Sequence, residues 1–128
     1  MNRRMIKRTI EIAKAMCPLN VQHRCSHIAF LIKKGRIHHI GINVGKSHPN
    51  TLKYKYAGGE KANIHAELSV CMKSEHEDLK NYKMIVLRVD RHGNINNSKP
   101  CTGCSEVIKQ FNVGEVWYSD KNGNINKL

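Results

Sequence analysis

Acidic residues are scarce in this chain. Ten Asp and Glu stand against 22 Lys and Arg, for a net charge of +12. The shortfall lies in one half: residues 1–64 carry 13 basic and two acidic side chains (+11), residues 65–128 nine and eight (+1). A field of this sign disfavours basic partners and favours polyanions or phosphate-bearing substrates. The plainer reading is a well-solvated surface. Long apolar runs are also missing. None approaches the ~20 residues of a membrane span, so no membrane association is expected. The start, Met1 to Arg8, is basic and contains Arg3-Arg4. No apolar stretch or small-residue cleavage site follows it, which argues against a signal peptide. Cysteine is too sparse for a disulfide framework: there are five, an odd number, and two form a metal-type pair. Cys17, Cys25 and Cys71 are expected to be reduced and buried, in a cytoplasmic protein. Linkers, low-complexity stretches and internal repeats are not evident. What remains is ordinary: 40% hydrophobic, 25% charged and 128 residues long, which suits one domain over 1–128.

The periodicities alternate between helix and strand. Over residues 3–17, Ile6, Ile10, Ala13 and Cys17 recur at helical spacing, widened by Met5, Thr9, Ile12 and Met16. Asn2 is placed to cap this helix and Pro18 to end it. The basic side chains Arg3, Arg4, Lys7, Arg8 and Lys14 fall mostly off the stripe. His27–Lys33 reads as a strand apolar on both faces, hence central. A turn at Lys33-Lys34-Gly35-Arg36 leads into a second, antiparallel strand, Ile37–Val44, nearer an edge. Residues 44–61 form a long basic connection with Tyr54 and Tyr56 among lysines. A connection of this length is expected to be functional, a substrate loop. A helix over Ala62–Ser74, a strand over Lys83–Asp90, a polar loop, a helix over Cys101–Phe111 and a strand over Gly114–Ser119 follow. Asp120-Lys121-Asn122-Gly123 then predicts a hairpin into Asn124–Leu128.

Two short stretches carry the chemistry. One is Asn63-Ile64-His65-Ala66-Glu67, the other Lys99-Pro100-Cys101-Thr102-Gly103-Cys104. His65, Cys101 and Cys104 are three zinc-type donors, and a catalytic zinc takes three protein ligands plus water. Glu67 is then left over to move a proton. Alone, C-x-x-C would equally be a redox pair or half of a structural zinc site, and His-Ala-Glu alone means nothing.

In this order, each opening a helix and separated by a strand, the two stretches resemble the zinc-dependent nucleobase deaminases, whose mark is H-x-E followed by P-C-x-x-C. The resemblance implies a cytidine deaminase-like α/β fold: a three-layer α/β/α sandwich on a mixed five-stranded sheet, here with a C-terminal β-hairpin. It implies Zn2+ on His65, Cys101 and Cys104, with Glu67 as the catalytic acid and base in hydrolytic deamination of a cytosine ring. It further implies substrate contacts at Asn43 and at the backbone near Ala66 and Cys101, with Pro100 setting the approach to the helix and His48 on the mouth loop. Many relatives that act on free nucleosides have cysteine where His65 stands, so a nucleotide such as dCMP is favoured. A cytosine in single-stranded DNA or RNA is the alternative. A different class stays open too: a basic nucleic-acid-binding module with a closed structural zinc, needing a fourth ligand such as His27, His38, His39 or His48. Whether the chain forms a homo-oligomer is left open.

Overall fold

The computed structural model describes residues 1–16, 25–42, 65–75, 78–90 and 92–128. Its first element, helix α1 (Arg3–Met16), begins as expected. The Asn2 side-chain oxygen accepts from the Met5 backbone N–H at 2.8 Å, a capping bond that satisfies one of the orphan donors of the first turn. Its fully buried line is Met5, Thr9 and Ala13, so the inward face is centred slightly to one side of the expected stripe. Thr9 is tolerated there because its hydroxyl donates to the Ile6 carbonyl at 2.8 Å.

The strands build one sheet in the order β2-β1-β3-β5-β6. Strand β1 (Cys25–Lys33) pairs antiparallel with β2 (Arg36–Ile42) and with β3 (Lys83–Asp90). The β1–β2 turn holds Lys34 and Gly35 both at positive φ, 52° and 73°, the geometry that matches the twist of a two-residue hairpin. Strand β5 (Glu115–Ser119) lies parallel to β3, and β6 (Ile125–Lys127) returns antiparallel beside β5. The expected terminal hairpin is therefore present. The sheet has six strands, where the sequence suggests five. The extra one is β4 (Ile95–Asn96), which pairs with Arg88 and Val89 of β3 inside the segment read as a polar loop.

The cause is a turn that occurs twice. After β3 the chain reads Asp90-Arg91-His92-Gly93-Asn94-Ile95-Asn96, and after β5 it reads Asp120-Lys121-Asn122-Gly123-Asn124-Ile125-Asn126. The Asp90 carboxylate accepts from the N–H groups of His92 and Asn94 at 2.9 and 3.0 Å. Asp120 accepts from those of Asn122 and Asn124, both at 2.9 Å. Gly93 and Gly123 sit at φ 82° and 83°, where a side chain would be strained. Five of these seven residues are identical, so the chain does contain a short internal repeat, contrary to the reading from sequence. Each copy folds the chain back against its own parent strand.

Alternation divides the core into two. Ile28, Phe30, Ile32, Ile85, Leu87 and Val89 point to the α1 side. Ala29, Leu31, Met84 and Val86 point to the other. There they meet helix α2 (Ala66–Ser74) and helix α3 (Thr102–Gln110). This is the three-layer α/β/α arrangement the resemblance implies. Helix α2 is buried on nearly every side, from Ala66 through Cys71 and at Ser74, which is why its apolar stripe is weak in sequence. Gly41 of β2 makes this possible. A Cβ there would lie 2.5 Å from the Val70 backbone nitrogen and 2.9 Å from the Ala66 carbonyl oxygen. The two backbones therefore touch, and only glycine fits between them. Lys73 adds a bond from its ammonium to the Ile40 carbonyl at 2.8 Å. No helix among the described residues is long and apolar enough to cross a membrane.

Candidate metal and proton-transfer site

The two helix starts that follow β2 and β4 in the chain meet. His65 is the N-cap of α2 and Cys101 the N-cap of α3, both extended, with φ −73° at each and ψ of 157° and 174°. Their carbonyls accept the first helical bonds, from Ser69 at 2.9 Å and Ser105 at 2.8 Å. That geometry explains how residues two apart can serve one centre. His65 stands just outside the helix and Glu67 lies in its first turn, so helical periodicity does not separate them. Cys104, three residues after Cys101, is on the same side of the first turn of α3. Two helix N-termini converge here, and their dipoles favour thiolate, hydroxide and carboxylate charge.

His65 Nδ1 lies 3.1 Å from Cys104 Sγ and 3.7 Å from Cys101 Sγ. The three donor atoms all fall within 4.8 Å of one another. Zinc bonds of ~2.0 Å to nitrogen and ~2.3 Å to thiolate imply tetrahedral N···S edges of about 3.6 Å. The donor set and its spacing therefore fit a zinc-sized ion. Among the described residues the group has three members. His27, His38 and His39 do not join it, and His38 stands edge-on to the Tyr82 ring, 5.7 Å between centroids.

The electrostatics reflect close packing. Glu67 is only 4% exposed, and burial pushes its carboxyl above the usual range, partly offset by a hydrogen bond with Cys104. Burial pulls the His65 imidazole down, but its hydrogen bond to Cys101 and the charges of Cys101 and Glu67 outweigh this and raise it. The Cys104 thiol is raised strongly, first by its hydrogen bond with Cys101 and then by burial. Behind them Cys71 is raised to about 12, by burial and then by the Glu67 charge. A metal held by His65, Cys101 and Cys104 would displace the protons of the ligating thiols. Cys71, Cys101 and Cys104 form no disulfide.

Of the other expected contacts, Ala66 is fully buried at the start of α2 and Pro100 is buried directly before Cys101. Asn43, His48 and the connection 44–61 lie outside the described residues, as do the side chains of Cys17 and Cys25.

Two features escape the sequence reading. The first is a serine latch before Pro100. Ser98 is 2% exposed and Ser119 fully buried. The Ser98 hydroxyl donates to the Val86 carbonyl at 2.6 Å and accepts from the Ser119 N–H at 2.8 Å. The Ser119 hydroxyl donates to the Asn96 carbonyl at 2.6 Å. The latch fixes where the chain stands as it runs into Cys101. Nothing in the sequence distinguishes these serines from surface ones. The second is Arg88, paired in register with His27 and on the same face as Val86. It places a cation in the layer that holds the site, at the end of β3 from which the chain leaves for Cys101. A lone arginine in the run Met84–Val89 was its signal.

No protein-family model and no curated protein match the chain. Solved structures do, and they share the cytidine deaminase fold. A dCMP deaminase of the cyanophage S-TIM5 superposes with a TM-score of 0.62 at 18% identity, covering 94% of this chain and 86% of that one. A cytidine deaminase from Burkholderia pseudomallei gives 0.62 at 15% identity, covering 100% and 92%. A cytidine deaminase from Mycobacterium leprae gives 0.53 at 16%, covering 92% and 88%.

Proposed function

We propose that this chain is a zinc-dependent hydrolytic deaminase acting on cytosine in a nucleotide such as dCMP or a related cytidine compound. The observation that carries the reading is the convergence of His65, Cys101 and Cys104 beside Glu67, whose carboxyl is buried and raised by that burial. His65, Cys101 and Cys104 would hold the ion. Zinc bound there supplies a Lewis acid and a water acidic enough to react near neutral pH. Glu67 does the proton work: it accepts from the water and delivers to ring N3, then takes the proton of the new C4 hydroxyl and passes it to the departing amine as the C4–N bond breaks and the C4 carbonyl forms. A carboxyl raised by burial suits a group that must act first as base and then as acid. The backbone around Ala66 and Cys101 borders the base, and Asn43, His48 and Pro100 complete the proposed contacts. The whole of 1–128 acts as one domain in this reading, in the cytoplasm, where its thiols stay reduced.

A solved structure of the cyanophage enzyme, 17% identical, is a complex with dCMP and dUMP. This supports a nucleotide here, as does the surplus of positive charge. The same charge favours a second reading, a cytosine in a single strand. A closed structural zinc would need a fourth ligand: His27, His38 and His39 do not join the three, and His48 lies outside the described residues.

One reaction tests the reading. Zinc-loaded protein is incubated with dCMP and with a cytosine-containing single-stranded DNA, and the products are weighed by mass spectrometry. Exchange of the amine for oxygen raises the mass by about one unit. A shift in dCMP that is absent with Glu67→Ala is expected. No shift in either substrate would overturn the proposal.

A further inference from the structure

We infer that the outer face of α1, together with the cleft between its C-terminal end and the two repeated turns, binds the phosphate backbone of a single-stranded nucleic acid. Only the sense in which that strand is carried to the site rests on the deaminase reading. The residues exposed on α1 include Arg3, Arg4, Lys7, Arg8 and Lys14, with Glu11 the sole acid among them. Over 14 residues, at ~1.5 Å per residue, this is a positive track about 20 Å long.

Among the described residues these cations form no ion pair: the pairs are Lys83–Glu115 and Lys127–Glu115, neither of which involves α1. The helix also has a defined direction. Its start shares a hollow with Lys83, where β3 begins. Its end, through Ile10 and Lys14, borders a cleft of about 610 Å³ with Asn94, Asn96, Lys121 and Asn122, where β3 and β5 end. The track therefore leads to the end of the sheet from which the chain runs to Cys101.

The cleft has the chemistry for a nucleotide and not for a lipid surface. Lys14 and Lys121 supply charge for phosphate. Asn94 and Asn122, one from each turn, supply donors and acceptors that can meet sugar or base edges. Asp90, the acid at the cleft, is committed to its own turn, accepting from His92 and Asn94. A membrane-binding helix needs an apolar face to insert. The apolar face of α1 is already spent on the sheet through Met5 and Ala13, with Ile6 and Ile10 packed beside them. Because α1 and the proton-transfer site sit on opposite layers, a bound strand would pass around the sheet end at the repeated turns.

The test is fluorescence anisotropy of a labelled oligothymidylate of about a dozen nucleotides, titrated with the zinc-loaded chain over a range of NaCl. It contains no cytosine, so binding is read whether or not the protein deaminates, and dCMP turnover tests the other reading separately. Six cations on the track and cleft predict a slope of log K against log salt of about −4, from ~0.7 per phosphate contact on a single strand. The variant Arg4→Glu/Arg8→Glu/Lys14→Glu should flatten the slope to about −2 and weaken binding at least tenfold at 0.1 M salt. All three positions are exposed, and thermal melting and zinc content check that the variant is folded. An unchanged slope in a folded variant, or no binding at 50 mM salt, overturns the inference. So does tighter binding to vesicles of anionic lipid than to the oligonucleotide.

Discussion

Replacing Ser98 by alanine removes one oxygen and leaves two backbone groups without their partner. The Ser119 N–H loses its acceptor at 2.8 Å and the Val86 carbonyl loses a donor at 2.6 Å. Both lie inside the sheet, with Ser98 2% and Ser119 and Val86 0% exposed, so water cannot substitute without opening β5 from the segment before Cys101. An orphaned buried donor costs roughly 1–3 kcal/mol, and an ordinary lost hydrogen bond about 1. The expected destabilisation is about 3 kcal/mol. For a chain of this size that lowers the melting temperature by roughly 10 °C. Cys101 stands three residues further on, so its donor atom should also be held less firmly. A loss of zinc affinity of about tenfold is expected, in line with the removal of other groups that support a ligand. Melting by circular dichroism and zinc competition against a chromogenic chelator measure both. A variant that melts within 2 °C of the parent and keeps its zinc affinity would show that the latch positions nothing.

Gly41→Ala should cost about 1–3 kcal/mol through overpacking, because its Cβ meets the Val70 backbone and not a side chain that can move aside. Turnover should fall with it, and a melt and a rate that both match the parent would contradict the close approach. Glu67→Gln should keep zinc, read by metal analysis, and lose at least a hundredfold in rate; full activity would remove the proton shuttle. Zinc uptake should release about two protons near pH 7, one from each of the Cys101 and Cys104 thiols, measured by calorimetry in buffers of differing ionisation enthalpy. Release of none would mean that the cysteines do not ligate. Asp90 and Asp120 are held below the usual carboxylate range, chiefly by the N–H groups of Asn94 and Asn124. A lowered folded-state pKa contributes stability above the ordinary value of ~3.9 and loses it as pH falls through the folded value. Amide exchange at Gly93 and Gly123, flat from pH 7 to 5 once corrected for intrinsic rates, should quicken below about pH 4.

The three ligand candidates and Glu67 were legible because their chemistry is carried by residue type and spacing, and helix starts are marked by what precedes them. The faces of β1 and β3 were legible from strict alternation: Ile28, Phe30 and Ile85 on one side, Ala29, Leu31 and Met84 on the other. Helix α2 was harder. Buried on both flanks, it has no polar face to set against an apolar one, and its contact with β2 depends on an absent side chain at Gly41. Strand β4 was hidden by its length. Two residues cannot show a period, and the asparagines around Ile95 read as loop until the Asp90 turn reverses the chain. The repeat was visible in the letters and passed over, because seven residues are too few to build a structural unit on their own. The latch was illegible in principle: Ser98 and Ser119 are 21 positions apart and meet only because β3 and β5 are parallel neighbours.

The meeting of two helix starts also has a kinetic side. Cys101 and His65 are 36 positions apart, and Cys104 and His65 are 39, with β3 between them in the chain. Local folding of α3 brings only Cys101 and Cys104 together, and leaves His65 apart. Bringing His65 to them requires β3 in the sheet and α3 packed beside α2, so the complete group depends on non-local contacts, whose loop-closure entropy must be met first. An ion that needs all three donors therefore discriminates sharply between finished and unfinished chains. Held a thousandfold above its dissociation constant, it would add about 4 kcal/mol to the folded state alone. The supply of metal would then set how many molecules persist in the folded state, apart from what each one does.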